Sequence, residues 1–186
     1  MNRPHSAPKP APPHRALTAV EEVRALDAPA TALANRLRGA AGTVPGQLLR
    51  GRWLGHPVHP LVVTLPIGAW LCSALFDLLP GQEEAARRLV ATGLAAVPAA
   101  VVFGLADYAD LDERQRRVGL AHAAGNAVAT ALFGASYRAR GRGELARGRV
   151  LGALGLAATS AAGALGGHLA YAQGAGVFRW RAGSAD

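Results

Sequence analysis

The stretch "HPVHPLVVTLPIGAWLCSALF" (residues 56–76) has no charged side chain from Pro57 to Phe76, and two His-Pro dipeptides stand at its start. A helix rises 1.5 Å per residue, so about 20 apolar residues cross the roughly 30 Å of a bilayer's hydrocarbon. Three more uncharged runs follow, from Leu89 to Ala106, Val118 to Tyr137 and Val150 to Val177. The four runs predict membrane helices near 60–80, 88–107, 118–137 and 150–172. The fold class expected is all-α: an integral membrane four-helix up-down bundle with a disordered N-terminal head.

Composition excludes the soluble version of that bundle. The chain is 51% hydrophobic with 5% aromatic and 17% charged residues. Soluble helices carry a polar outer face, whereas these runs are Ala, Leu, Val and Gly all round. The formal charge of +8 and pI near 11.1 raise nucleic acid as a partner. The distribution argues against it: the basic residues sit in the N-terminal segment and between spans, where they face anionic headgroups. The densest run, "YRARGRGELARGR" (137–149), reads as a solvated headgroup-facing loop. Cys72 is the single cysteine, which rules out an intrachain disulfide and a Cys-based metal motif. No Ser-His-Asp pattern, phosphate-cradling Gly-rich loop or strand-like alternation occurs, so a soluble-enzyme activity is not expected.

Two domains are expected: a Pro/Ala-rich head over 1–50, disordered to partly helical, and a membrane domain over 51–182. "MNRPHSAPKPAPPH" (1–14) is too Pro-rich for regular hydrogen-bonded structure. "ALTAVEEVRALD" (16–27) and "ATALANRLRGAA" (30–41) read as short polar-faced helices separated by Pro29. "VPGQLLRGRWLG" (44–55) sets Leu49 and Trp53 four residues apart beside Arg50 and Arg52. That pattern suits a segment lying on the membrane surface, or a plain loop with an interfacial Trp. No apolar signal-like region precedes residue 53, so the first span is expected to act as the insertion signal. In lipid, helices associate through close approach of small residues, which points to Ala121, Gly125 and Ala129 on helix three and Gly163 and Gly167 on helix four. Pro66 and Pro98 should bend helices one and two.

If the helices alternate in direction, the histidines share a depth. His56 and His59 lie at the start of helix one, His122 about one turn into helix three and His168 about one turn before the end of helix four. Asp107 and Tyr108, closing helix two, join them. Ionisable groups at membrane depth are costly and usually functional. The positive ends of helices one and three disfavour a charged ring at His59 and His122, leaving imidazoles able to ligate a metal or haem iron. Asp107 needs a compensating partner, for which His168 and Arg114 are the candidates. His122, Asn126 and Thr130 form one polar stripe on helix three. The cofactor-binding candidates are therefore His56, His59, His122 and His168, with His122 and His168 the metal-ligating pair and Asp107 and Asn126 behind them.

"LGHPVHPLVVTLPIGAWLCSALFDLL", "GLAHAAGNAVATALF" and "GALGGHLAYAQGAGV" resemble a bacterial family of predicted four-helix membrane proteins, the domain of unknown function 2231. The combination of G-H-P-x-H-P, Asp77 and G-G-H-L-x-Y-x-x-G carries the resemblance over residues 53–178. It implies an integral membrane protein and brings no established activity. Some members are joined to a Rieske iron–sulfur domain. With one Cys this chain cannot hold a Rieske centre, which needs two Cys and two His, so such a partner would be a separate chain.

Three functions remain open: a redox membrane component binding haem b or a transition metal through two of the histidines, a cofactor-free scaffold or subunit, and a small proton- or ion-conducting transporter, for which four helices would have to form a homo-oligomer. The lipid bilayer is the one partner common to all three. The expected location is the inner (plasma) membrane. Local Arg counts on the two sides tie; the basic head places both termini in the cytoplasm. Membrane-impermeant thiol labelling of Gly143→Cys should then succeed from outside, and labelling only after permeabilisation would reverse the topology.

Overall fold

The structure, a computed structural model, describes residues 12–177. Among these residues the regular structure is all helical: α1 (Pro12–Glu21), α2 (Asp27–Ala41), α3 (Val44–Leu49), α4 (His59–Val62), α5 (Thr64–Phe76), α6 (Glu83–Tyr108), α7 (Glu113–Gly141) and α8 (Leu145–Gly167). Four segments are long and apolar enough to cross a membrane: His59–Phe76, Glu83–Tyr108, Glu113–Gly141 and Leu145–Ala172. Only 17–22% of the residues in their apolar windows are buried within the chain, so the remaining apolar surface faces lipid. The chain is a multi-pass membrane protein, and its four spans form the expected bundle.

Local chemistry sets the element ends. Pro66 lacks the N–H that would bond to Val62, and its ring crowds that carbonyl. The first span accordingly divides at Val63 into α4 and α5, and it stops at Phe76, short of residue 80. α6 runs unbroken through Pro98. Asp112 caps α7: its carboxylate accepts from the Gln115 N–H while the Gln115 side chain accepts from the Asp112 N–H. α6 and α7 extend beyond the uncharged runs because Glu and Arg at their ends are good helix formers. Residues 12–14 open α1 rather than a disordered segment, because proline at the start of a helix needs no N–H partner. Pro29 lies in the first turn of α2 instead of separating two helices. The rest of the Pro-rich expectation, residues 1–11, and residues 178–182 of the expected membrane domain lie outside the described residues.

The spans are two copies of one helical hairpin, α4/α5–α6 and α7–α8. Residues in the first helices correspond at a separation of sixty-three: His59 with His122, Trp70 with Phe133, Ser73 with Ser136 and Asp77 with Arg140. In the second helices the separation is sixty-two, and "GLAAVPAAVVFG" (93–104) and "GLAATSAAGALG" (155–166) share seven of twelve residues. Equivalent residues make equivalent contacts. Ser73 Oγ donates to the Ala86 carbonyl at 2.8 Å, and Ser136 Oγ to the Gly148 carbonyl at 2.6 Å. A Cβ added at Gly93 would lie 2.2 Å from Trp70 Nε1, and one at Gly155 would lie 2.8 Å from the Phe133 ring.

The two hairpins meet across a pseudo-twofold axis. On it, Trp70 and Phe133 stack at 4.0 Å between ring centroids and 12° between planes. Farther along, Arg140 Nη1 and Nη2 donate to the two Asp77 carboxylate oxygens at 2.6 and 2.5 Å, and Arg140 Nε donates to Ser136 Oγ at 3.2 Å. Arg149 also reaches Asp77, at 3.5 Å, and Glu83, at 3.7 Å. Removing one partner of so buried a pair strands the other charge, a cost of about 3–5 kcal/mol. Arg140 therefore belongs to the protein's interior, which corrects the reading of 137–149 as a solvated loop at that residue, while Arg142, Arg147 and Arg149 remain exposed.

Close packing of α8 uses Gly148, Gly152, Gly155, Thr159, Ala162 and Gly166, alternating four- and three-residue steps. Gly125 of α7 meets Ala162, as its small size suggested, and Ala129 is fully buried. A Cβ added at Gly163 or Gly167 would meet no atom within 4 Å; these two glycines point away from the neighbours, contrary to expectation. Gly93→Ala and Gly155→Ala should each destabilise the bundle by about 1–3 kcal/mol through overpacking, while Gly163→Ala should be near neutral. Unfolding in mixed micelles would measure the contrast; equal effects at all three would exclude this packing scheme.

Candidate functional site

The HPVHP segment enters the bundle through Gly51 and Gly55, both at positive φ. At Gly51 a Cβ would lie 2.0 Å from the His56 carbonyl oxygen, so that turn requires glycine. His56 stays exposed, its ring Nδ1 lying 3.3 Å from the Pro57 carbonyl. His59, at the first position of α4, turns inward.

His59 and His122 occupy equivalent places. His59 Nδ1 lies 2.9 Å from the Ala100 carbonyl, and His122 Nδ1 lies 2.7 Å from the Ala162 carbonyl. A carbonyl can only accept, so in each ring Nδ1 carries the hydrogen and donates it. A neutral ring of this tautomer keeps its lone pair on Nε2. Each imidazole lies in a notch left by glycine one turn beyond its acceptor: a Cβ at Gly104 would stand 3.0 Å from His59 Cε1, and one at Gly166 2.8 Å from His122 Cε1. Across the axis the two rings face each other edge to face, 6.3 Å apart and 83° inclined. Asn126 lies one turn below His122, with its amide nitrogen 3.2 Å from His122 Nε2 and donating to the His122 carbonyl at 3.0 Å. Thr130 Oγ donates to the Asn126 carbonyl, so the expected polar stripe is present on the half-buried face of α7.

His168 is elsewhere. The segment after Gly166 has one more residue before its tyrosine than the segment after Gly104, "GGHLAY" against "GLADY". A single wide π turn, His168–Ala172, absorbs the insertion. His168 is buried there and donates from Nε2 to Glu21 Oε1 of α1 at 2.6 Å, with the His14 ring at 6.0 Å. The expected four-histidine gathering thus separates into an axial pair, His59 and His122, a junction histidine, His168, and the exposed His56. Among the described residues, no three His, Cys, Asp or Glu side chains form a metal-holding group.

Sequence reasoning missed the partner of His168, because it lies in the head. α1 and α2 dock on α7, held by Arg117. Its Nε and Nη2 donate to the Asp27 carboxylate at 2.5 and 3.0 Å, Nη1 to the Glu21 carbonyl at 2.6 Å and Nη2 to Glu113 at 2.5 Å. Tyr108 donates to the Arg116 carbonyl at 3.1 Å, with the Ala30 carbonyl at 3.4 Å. Ala34, Leu33 and Leu37 of α2 pack with Tyr108, Leu111 and Leu169. Charge of opposite sign at Asp27 and Arg117, ninety residues apart, was visible in the sequence; their pairing was not.

The Arg117 hydrogen bonds hold the Asp27 carboxyl below its ordinary value of 3.8. A depressed carboxyl pKa contributes stability above the ordinary value and loses it as pH falls through the folded one. The contribution of the Asp27–Arg117 pair to head docking should therefore be constant around neutrality and weaken in strong acid, below about pH 4. Arg117→Ala should release the head at neutral pH, read as faster proteolysis of residues 12–41 in intact membranes with the spans still protected. Unchanged cleavage would remove Arg117 from this role.

Neither a curated protein nor a solved structure matches the chain at a significant level. A family model does, described as "Predicted membrane protein (DUF2231)", over residues 55–179. The match begins at Gly55, after the docked head, and takes in both hairpins, the axial histidines and His168. By that match the chain belongs to the DUF2231 family of predicted membrane proteins.

Proposed function

We propose that this membrane protein is a redox component in which His59 and His122 ligate one haem iron or transition-metal ion near a membrane face. The observation that carries the reading is the axial pair itself. Both rings donate Nδ1–H to a backbone carbonyl, the arrangement that fixes the tautomer and orients Nε2 in metal-ligating histidines. His59 and His122, whose ring centres lie 6.3 Å apart across the axis, are the residues that would hold the group. A pair of imidazoles is compatible with either haem b or a transition-metal ion. Such a group supplies a one-electron change of state, and a separate redox protein at the membrane surface is its natural partner. Asn126, whose amide nitrogen lies 3.2 Å from His122 Nε2, would have to turn aside for the group to bind, and Asp107 would act on His59 through its charge.

A second reading rests on the same hydrogen bonds. Each imidazole ties the two helices of its own hairpin together, as Ser73 and Ser136 do at the other end. In a scaffold without cofactor, the histidines would serve only as these latches.

Absorbance and elemental analysis of detergent-purified protein from haem- and metal-replete cells separate the two. The redox reading expects a Soret band or stoichiometric metal, lost completely in His59→Ala and in His122→Ala, while His56→Ala retains it and all variants still insert in the membrane. Wild-type protein without chromophore or metal would leave the latch reading. A chromophore lost in His168→Ala but kept in His59→Ala would move the ligand pair to His122 and His168.

A further inference from the structure

The head and the first span are joined by α3 and the turns that follow it, and this connection carries an apolar face that no described part of the chain covers. Val44, Leu48 and Trp53 are 72%, 51% and 65% exposed. Val44 and Leu48 stand one turn apart on α3, and Trp53 is drawn to them because its indole N–H donates to the Leu48 carbonyl at 3.1 Å. That bond satisfies the ring's one polar atom, so Trp53 presents only apolar surface outward. Leu48, rather than Leu49, is thus the partner of Trp53; Leu49 is half-buried.

The face is held rigidly at the membrane border. Thr43 caps α3 by accepting from the Gly46 N–H at 3.2 Å, and Gly46 fits against the end of α2, where a Cβ would lie 2.2 Å from the Ala40 carbonyl oxygen. Arg50 pairs with Asp110 in the α6–α7 connection. Only five residues separate Trp53 from His59, the first residue of the first span, and that span in turn exposes Leu61 and Leu65. Arg52 lies exposed beside Trp53, bonded to the Gln47 side chain.

We infer that Val44, Leu48 and Trp53 form an interfacial anchor, inserted into the headgroup–acyl boundary of the bilayer leaflet on the histidine side. The occupant is lipid for two reasons. The face is continuous along the chain with a span whose own exposed leucines meet acyl chains, and its composition, an aromatic ring with aliphatic neighbours and an adjoining arginine, is the one that partitions to the border between headgroup and hydrocarbon. Arg52 faces anionic headgroups there. The anchor holds the head at the membrane border, beside the ends of the spans that carry Arg117 and His168. It requires no cofactor.

Trp53 fluorescence in the full chain reconstituted into vesicles tests this directly. A Trp180→Phe background leaves Trp53 and Trp70, and Trp70 is 4% exposed within the bundle; subtracting the spectrum of Trp180→Phe/Trp53→Phe isolates Trp53. The expected result is blue-shifted emission quenched more by lipids brominated near the headgroup end than by lipids brominated near the terminal methyl, with little quenching by aqueous iodide. Strong iodide quenching without lipid quenching would place the face in water and overturn the inference. Shielding from both iodide and brominated lipid would mean that protein covers the face, a second copy or another chain, and would overturn it equally. Since Trp53→Phe is conservative and lies outside the bundle core, insertion of both proteins should be equal, checked by resistance to alkaline extraction.

Discussion

The contact between Trp70 and Phe133 at the centre of the bundle governs the positions of the other side chains on the axis. Within lipid no hydrophobic effect drives helix against helix, so association depends on close van der Waals approach and a few buried hydrogen bonds. Two large rings can stack at 4.0 Å on the axis only if the second helix of each hairpin yields space. Gly93 and Gly155 provide it, each behind the ring of its own hairpin. Once that layer is fixed, helical geometry sets the others. Eleven residues toward one end, about 16 Å at 1.5 Å per residue, lie His59 and His122; seven residues toward the other, about 10 Å, lie Asp77 and Arg140. Both polar layers thus fall near the borders of the hydrocarbon, where their cost is lowest.

Symmetry explains why the histidine pair is built as it is, and its breaking explains why the third histidine is different. The same device, an imidazole donating to a carbonyl above a glycine notch, appears in both hairpins because the hairpins are alike. At the other end the equivalent positions carry opposite charges, Asp77 and Arg140, so a pair that would repel in a true duplicate instead attracts. At the histidine end, one extra residue in the second hairpin produces the π turn, exposes Tyr171 where its counterpart Tyr108 is buried, and turns His168 toward Glu21. The head recognises this asymmetric end, using Arg117 and Tyr108 as its fixed points. A segment outside the matched family region thereby completes the burial of a residue inside it.

The sequence alone determined the spans. Length and uniform apolarity of four runs are local properties, and water's exclusion from lipid leaves helices as the way to satisfy their backbones; the bundle followed from short connections. It also revealed the depth of the histidines, because depth is a count of residues from a helix end. Tertiary structure decided which side chains at one depth touch. Rotation about each helix axis and the diagonal placement of the two hairpins bring His59 to His122 and take His168 to Glu21. The first depends on the Trp70–Phe133 layer and its glycines, the second on the π turn at His168–Ala172. The signal for the pairing was present as the repeat at sixty-two and sixty-three residues, GLAA against GLAA and His against His, but it lies in the relation between halves that hydropathy does not register. The docking of the head was beyond sequence for a different reason: Arg117 and Asp27 are ninety residues apart, and an ion pair between them is defined only by the folded geometry that removes both from water together.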